Sequence, residues 1–452
     1  MSLLAPRRPP PESSASPNLD TPLAPPALFP EEGGERVGAP SDAPQSLRFP
    51  AFRHRAFRLF WTGNVISLIG TLAQDAARNW LSRQLTPNEF QIGLVAACGT
   101  LPILVFSLFA GPVADRVDKR RGLMLTNGLA MVLAAVLGVL VAQGYARIWN
   151  VALIALLVGT VNAFDIPIRQ TFNREMVGRD DLTNAIALNS AAFNGARVLG
   201  PAVGGALLRL VGTAGCFFTN AISYLSVLWA LAAMKHEVEP SGMAADDTRR
   251  ATPRWAEIME GARWVRQHET VSLVMVLCSV LSVFAMSFST LLSVFAKDVF
   301  HVDERGYALL LIFEGLGAFG SAAGLAVKGD MRHRGKRVLG GAFGFALAII
   351  CFAFSPFLWT ACACVLVAGW LVFTFLTTAN TLVQTLAPDE LRGRVFSIYS
   401  LCLIGVAPFG SLFVGGMASL MGPRYAVGLG GTIAALVAFV VYVRFPRLWK
   451  QP

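Results

Sequence analysis

The sequence is poor in charge. Only 15% of its 452 residues are Asp, Glu, Lys or Arg, against roughly a quarter in a soluble domain. A large water-facing surface is thereby excluded. In its place stand 54% hydrophobic residues and a mean hydropathy of +0.55. The five histidines are dispersed and form no metal-binding tract. The seven cysteines (Cys98, Cys216, Cys278, Cys351, Cys362, Cys364 and Cys402) include no C-x-x-C pair and fall in or beside apolar runs. Cysteine there behaves as a small buried hydrophobe. Nucleophile elbows and P-loops are missing, so no enzyme activity, metal or cofactor is expected. The net charge of +10 invites a nucleic-acid reading. The basic residues, however, sit in short clusters between long apolar runs, the distribution of a membrane protein with its positive loops inside; no nucleic acid is expected.

Residues 1–48 are rich in Pro, Ser, Ala and Glu and are expected to form a disordered cytoplasmic tail. They lack the apolar core of a signal peptide. From Phe57 onward, apolar segments recur, each about long enough to span a bilayer as a helix. They fall near 57–84, 91–114, 122–143, 148–175, 184–211, 215–234, 270–296, 306–327, 338–355, 357–386, 394–421 and 424–445. Alternate connections carry basic clusters such as Arg116-Arg121 and Lys328-Arg337. The others carry single cations: Arg83, Arg147, Arg209, Lys297, Arg305 and Arg424. That asymmetry places both termini in the cytoplasm.

The polar connection 235–267 ends in Trp255-Ala-Glu-Ile-Met-Glu-Gly-Ala-Arg-Trp-Val-Arg, which reads as an amphipathic helix on the inner surface. It separates two six-helix units, 49–234 and 268–452, that echo each other. Val177-Gly-Arg-Asp-Asp-Leu182 precedes span five and Leu386-Ala-Pro-Asp-Glu-Leu391 precedes span eleven; Gly204-Gly205 recurs as Gly415-Gly416. The expected fold is all-α and membrane-integral, with twelve helices in two pseudo-symmetric bundles, and small molecules handled between the halves.

The loop between spans two and three reads Gly111-Pro-Val-Ala-Asp115-Arg116-Val-Asp118-Lys119-Arg120-Arg121. It resembles the signature loop of the major facilitator superfamily: a glycine, three residues, Asp, a basic residue, then a basic cluster. Asp118 stands where that signature usually has glycine, a departure familiar in the branch of bacterial siderophore and drug exporters. An aspartate among cations at a helix end can hold the loop against a neighbouring helix N-terminus. The resemblance implies that Gly111, Asp115, Arg116, Arg120 and Arg121 form a conformational latch on span eleven, near Arg392 to Arg394. The second-half echo, Gly324 to Arg337, keeps Asp330 and its basic residues.

Span five contains Gly200-Pro201-Ala-Val-Gly204-Gly205. This resembles the core of the antiporter motif of proton-coupled exporters in that superfamily, with Ala196 in place of a glycine four residues earlier. Pro201 removes a backbone donor and bends the helix. Gly204 and Gly205 let a second helix approach closely, and the small face Gly317, Gly320, Ser321, Gly324 of span eight is the expected partner. Phe57-Arg-Leu-Phe-Trp61, Ser67-Leu-Ile-Gly-Thr71 and Asp165-Ile-Pro-Ile-Arg-Gln170 resemble the enterobactin-exporter-like families. The resemblance covers about residues 50 to 445. It implies a monomeric exporter in the inner membrane that works by proton antiport and alternating access. A siderophore is the leading cargo, a multidrug or macrolide substrate the alternative, and a metal ion a weaker third.

Six charges fall inside the spans: Asp75, Arg78, Asp165, Arg169, Arg197 and Glu314. Such residues are costly in lipid and usually functional. Asp75 and Arg78 are three apart and Asp165 and Arg169 four apart, so each can form a local ion pair with a purely structural role. Glu314 lies about 8 residues into span eight, roughly 12 Å deep, with no cation among its helix neighbours, and Arg197 sits at a comparable depth in span five. Glu314 and Asp75 are therefore the candidate proton carriers, with Arg197 biasing one of them or pairing an anionic cargo. Phe284, Phe288, Phe313, Phe319, Trp370, Phe373 and Phe375 could line an amphipathic pocket or simply pack between helices.

Overall fold

A computed structural model of the protein describes residues 50–178, 181–234, 254–328, 333–388 and 390–446. The expected tail at 1–48, most of the polar connection and Asp330 lie outside the described residues. Among the described residues every element is helical.

Spans one to four are Arg55–Leu85, Glu89–Arg116, Lys119–Ala142 and Ile148–Val177. The helical run Leu182–Ala233 breaks at Gly212, whose φ of 69° and ψ of −177° lie where only glycine is comfortable. Spans five and six are therefore 182–211 and 213–233. The second half holds span seven (Glu269–Val299), eight (Glu304–Lys328), nine (Arg334–Ala353), ten (Leu358–Leu386), eleven (Arg392–Met421) and twelve (Pro423–Arg444). Eleven helices among the described residues are long and apolar enough to cross a membrane; span five, part of which lies outside the described side chains, is the twelfth.

Local chemistry sets the turns. The Asn88 side chain accepts from the amides of Phe90 and Gln91, starting span two. Asp118 accepts from the Arg121 amide at 2.8 Å, starting span three. That hydrogen bond accounts for an aspartate where the signature loop usually has glycine, since Asp is among the best helix N-caps.

Spans one to six pack together as one half, with span one against five and six, two against four, and three against four and six. The second half repeats the plan, with eight on ten and nine on both ten and twelve. The halves meet along two seams, two with eleven and five with eight. Both seams use the paired glycines. A methyl on Gly205 would stand 2.5 Å from Ala308 Cβ, and one on Gly415 would stand 3.0 Å from Gly93 Cα. Gly204, beside Gly205, lies on Ala73 of span one. The repeated Gly-Gly therefore marks equivalent crossings of the duplicated unit.

Span seven is irregular, with π-helical turns at Leu281–Ala285 and Phe295–Val299 and a 3-10 stretch at Met286–Leu291. Span eleven has a π-helical turn at Leu401–Gly405. Ser282 Oγ donates to Leu403 O at 2.6 Å, so two of these turns are bonded to each other. The connecting helix, Arg254–Gln267, forms as expected. Its described partners belong to span eleven: Glu260 pairs with Arg394, and a methyl at Gly261 would come within 3.1 Å of Arg394 Cβ.

Candidate transport site

Span ten fixes the position of Glu314. Gly369 packs directly on the Glu314 carbonyl, and Gly317 on the Leu366 carbonyl. Ser321 and Thr374 share a hydrogen bond of 2.7 Å, and the Trp370 ring covers Gly320. The small face of span eight thus serves span ten. The expectation that it faces the glycines of span five is corrected, because Ala308, two turns nearer the helix start than Gly317, occupies that seam.

Arg197 shares a face of span five with Gly200, Gly204 and Gly205, which lie three, seven and eight residues on. That face is turned to spans one and eight, since Gly200 meets Leu72 and Gly205 meets Ala308. The Arg197 side chain is solvent-exposed although its helix is packed between the halves, and its guanidinium lies 6.0 Å from the Phe193 ring. It makes no hydrogen bond or ion pair among the described residues. Glu314 of span eight and Tyr399 of span eleven are its electrostatic neighbours. One half supplies a cation and the other a carboxylate, close enough to feel each other and not bonded.

Asp75 and Arg78 form the local pair, at 3.1 Å. The Arg78 guanidinium covers Gly99 of span two and its Nε is buried without a hydrogen-bond partner among the described residues. Asp75 stays half-exposed.

Asp165 and Arg169 are also paired, within a saturated network. Asp165 accepts from Thr126 Oγ1 at 2.6 Å, Asn127 Nδ2 at 3.0 Å and Arg169 Nε at 2.8 Å. Arg169 also bonds to Asn64 and lies 5.8 Å from the Phe60 ring. Spans one, three and four are tied together here. Asn64, Thr126 and Asn127 were not singled out in the sequence; polar residues inside apolar spans were the available signal.

The basic loop is bound within its own half. Lys119 pairs with Glu175 at 3.4 Å, and Arg120 Nε donates to the Leu231 carbonyl at 2.6 Å, a cation at the C-terminal end of span six. Arg116 and Arg121 are exposed. Gly111, Asp115 and Pro201 sit in their helices, but their side chains lie outside the described residues. Arg392 donates to the Gln384 carbonyl at 3.2 Å. Phe288, Phe373 and Phe375 are buried, whereas Phe319 and Trp370 are exposed. Cys216, Cys278 and Cys362 are buried as expected, whereas Cys351 is exposed on span nine.

Sequence reading also missed the contacts at the loop end, opposite the termini. Arg83, at the end of span one, pairs with Asp298 of span seven at 2.5 Å, and Trp80 stacks on Tyr307 of span eight with centroids 5.3 Å apart. Opposite charges at the ends of two apolar spans were the only hint.

The model of the transmembrane secretion effector family matches residues 46–450. The chain belongs to that family. Among curated relatives, the multidrug efflux pump Tap of Mycolicibacterium fortuitum is 27% identical, over 82% of this chain and 90% of its own. The staphyloferrin A transporter of Staphylococcus aureus is 24% identical, over 85% and 95%. The enterobactin exporter EntS of Shigella boydii is 23% identical, over 88% and 94%. Solved structures share the major facilitator fold. An inward-facing bacterial homologue of the lysosomal transporter Spinster matches with a TM-score of 0.65 at 15% identity, over 90% of this chain and 100% of its own. An inward-facing bacterial homologue of the iron transporter ferroportin matches with 0.62 at 16%, over 88% and 99%.

Proposed function

We propose that this family member is a secondary transporter that exports a small amphipathic metabolite, with a siderophore the leading cargo, by proton antiport and alternating access. The observation that carries the reading is Arg197 of the first half, which is bonded to no other described residue and has Glu314 of the second half as an electrostatic neighbour. A charge inside a membrane span is costly and usually functional, so a guanidinium on the packed span five that is bonded to no described residue is a place for an anionic group of the cargo. Glu314, on the opposing half, takes up and releases the coupling proton, with Asp75 as the second carrier. Arg78 holds Asp75, and the Asp165–Arg169 network keeps spans one, three and four together as the halves move.

In this reading the Lys/Arg bias puts both termini in the cytoplasm, so the loop end faces outward and the structure is closed on that side. Gly111, Asp115, Arg116, Arg120 and Arg121 latch the inner side in the alternate state, and Gly200, Pro201, Gly204 and Gly205 form the antiporter seam. The protein works as a monomer of two six-helix units in the inner membrane. The family resemblance and the names of the curated relatives support the exporter reading.

Mass spectrometry of medium and cell extract tests it, comparing a deletion strain with its parent under iron starvation. Siderophore retained inside the deletion strain and depleted outside is expected. Unchanged siderophore in both fractions would refute that cargo. Multidrug efflux by the same mechanism would then take its place, as the 27% identity to the Tap pump suggests.

A further inference from the structure

The loop end is closed by three layers of contact, each joining the first half to the second. At the rim, Arg83 Nε and Nη2 donate to the two carboxylate oxygens of Asp298, both at 2.5 Å, while Arg83 Nη1 holds the Thr86 carbonyl at 2.7 Å. This fork-on-carboxylate arrangement is the strong, directional form of an ion pair. One turn deeper, the fully buried Tyr307 stacks on Trp80 with 18° between the rings, and its hydroxyl donates to the Ala76 carbonyl at 3.2 Å. Beneath it, Ala308 seats on Gly205. Tyr307 lies seven residues before Glu314, two turns along the same face of span eight.

We propose that this stack is the outer gate of the transporter, with Arg83 and Asp298 as its releasable clasp and Trp80 and Tyr307 as its plug. The clasp suits repeated opening. Both ions lie at the rim, 12% and 30% exposed, so water can reach and replace each partner when they part. The aromatic layer beneath is dry and keeps water and ions out while the clasp holds. Glu314 is carried on the same helix as the plug, so whatever moves span eight moves the coupling carboxylate and the seal together. The gate rests on the alternating-access reading but not on the identity of the cargo.

Two measurements test it in the full-length protein. The first reads the state of the gate without any cargo. A cysteine placed at Asn79, beside the plug, is labelled in intact cells with an impermeant maleimide. The reversals R83D and D298R should each speed labelling several-fold, and the swap R83D/D298R should return it to the starting rate. Unchanged labelling in the single reversals, or no recovery in the swap, would overturn the proposal. The second bridges R83C to D298C with a short bis-methanethiosulfonate. Export should fall at least about tenfold and recover with reductant, while neither single variant responds to the reagent. A bridged protein exporting at the unbridged rate would overturn the gate. Failure of every variant and of the parent to export a siderophore while the labelling results hold would count against the cargo alone.

Discussion

Gly205→Ala should push the protein out of the conformation described here. The added methyl would stand 2.5 Å from Ala308 Cβ and 2.9 Å from Ala308 Cα, whereas carbon atoms rest at about 3.5–4.0 Å. Neither obstacle is the end of a flexible side chain, so spans five and eight must part by about 1 Å. Overpacking of this kind costs about 1–3 kcal/mol. The cost falls on the closed state alone, because opening the loop end separates the two spans. At about 1.4 kcal/mol per factor of ten, the ratio of open to closed molecules should rise about 5- to 150-fold. Gly195, ten residues earlier on the same span, has nothing within 4 Å of its own Cβ position, so Gly195→Ala is the control. Labelling of a cysteine at Asn79 reads the ratio. Gly205→Ala should raise the labelling rate at least about fivefold, and Gly195→Ala should leave it unchanged. Equal effects of the two substitutions would refute the reasoning, since it is the seam, and not the loss of a glycine, that is argued to matter.

Asp165→Ala removes the acceptor of three donors and strands the Arg169 guanidinium in the first half. A loss of about 3–5 kcal/mol is expected, seen as a lower melting temperature and poor membrane yield, whereas a transport defect with unchanged melting would make this network a coupling site instead. Asp118→Ala should cost about 1 kcal/mol of stability through the lost N-cap of span three, and Asp118→Gly only a few tenths; thermal melting of the purified protein distinguishes them, and equal losses would mean the cap is irrelevant.

Much of the architecture was legible because it is written in local patterns. Apolar run length set the spans, and the break between spans five and six was placed across the very glycine whose backbone turns there. The pairs Asp75–Arg78 and Asp165–Arg169 could be read because they lie three and four residues apart on one helix. What was not legible depends on which faces of distant helices meet. The small face of span eight looked ready for span five, yet Gly317 and Gly369 lock it to span ten, a contact that helix periodicity cannot assign. Arg83 and Asp298 are 215 residues apart in sequence, and each reads alone as an ordinary interfacial charge. The π-helical turns at 281–285 and 401–405 are bonded to each other through Ser282 and Leu403, a contact that neither segment shows by itself.

The central claim is that Glu314 couples protons to export, and gradient-driven efflux in Glu314→Gln tests it most directly. The glutamine keeps the size and the seat on Gly369 but cannot exchange the proton. With a pH gradient imposed across cells or vesicles, the variant should lose uphill efflux of the cargo while still exchanging it downhill. Uphill efflux at the wild-type rate would contradict the account.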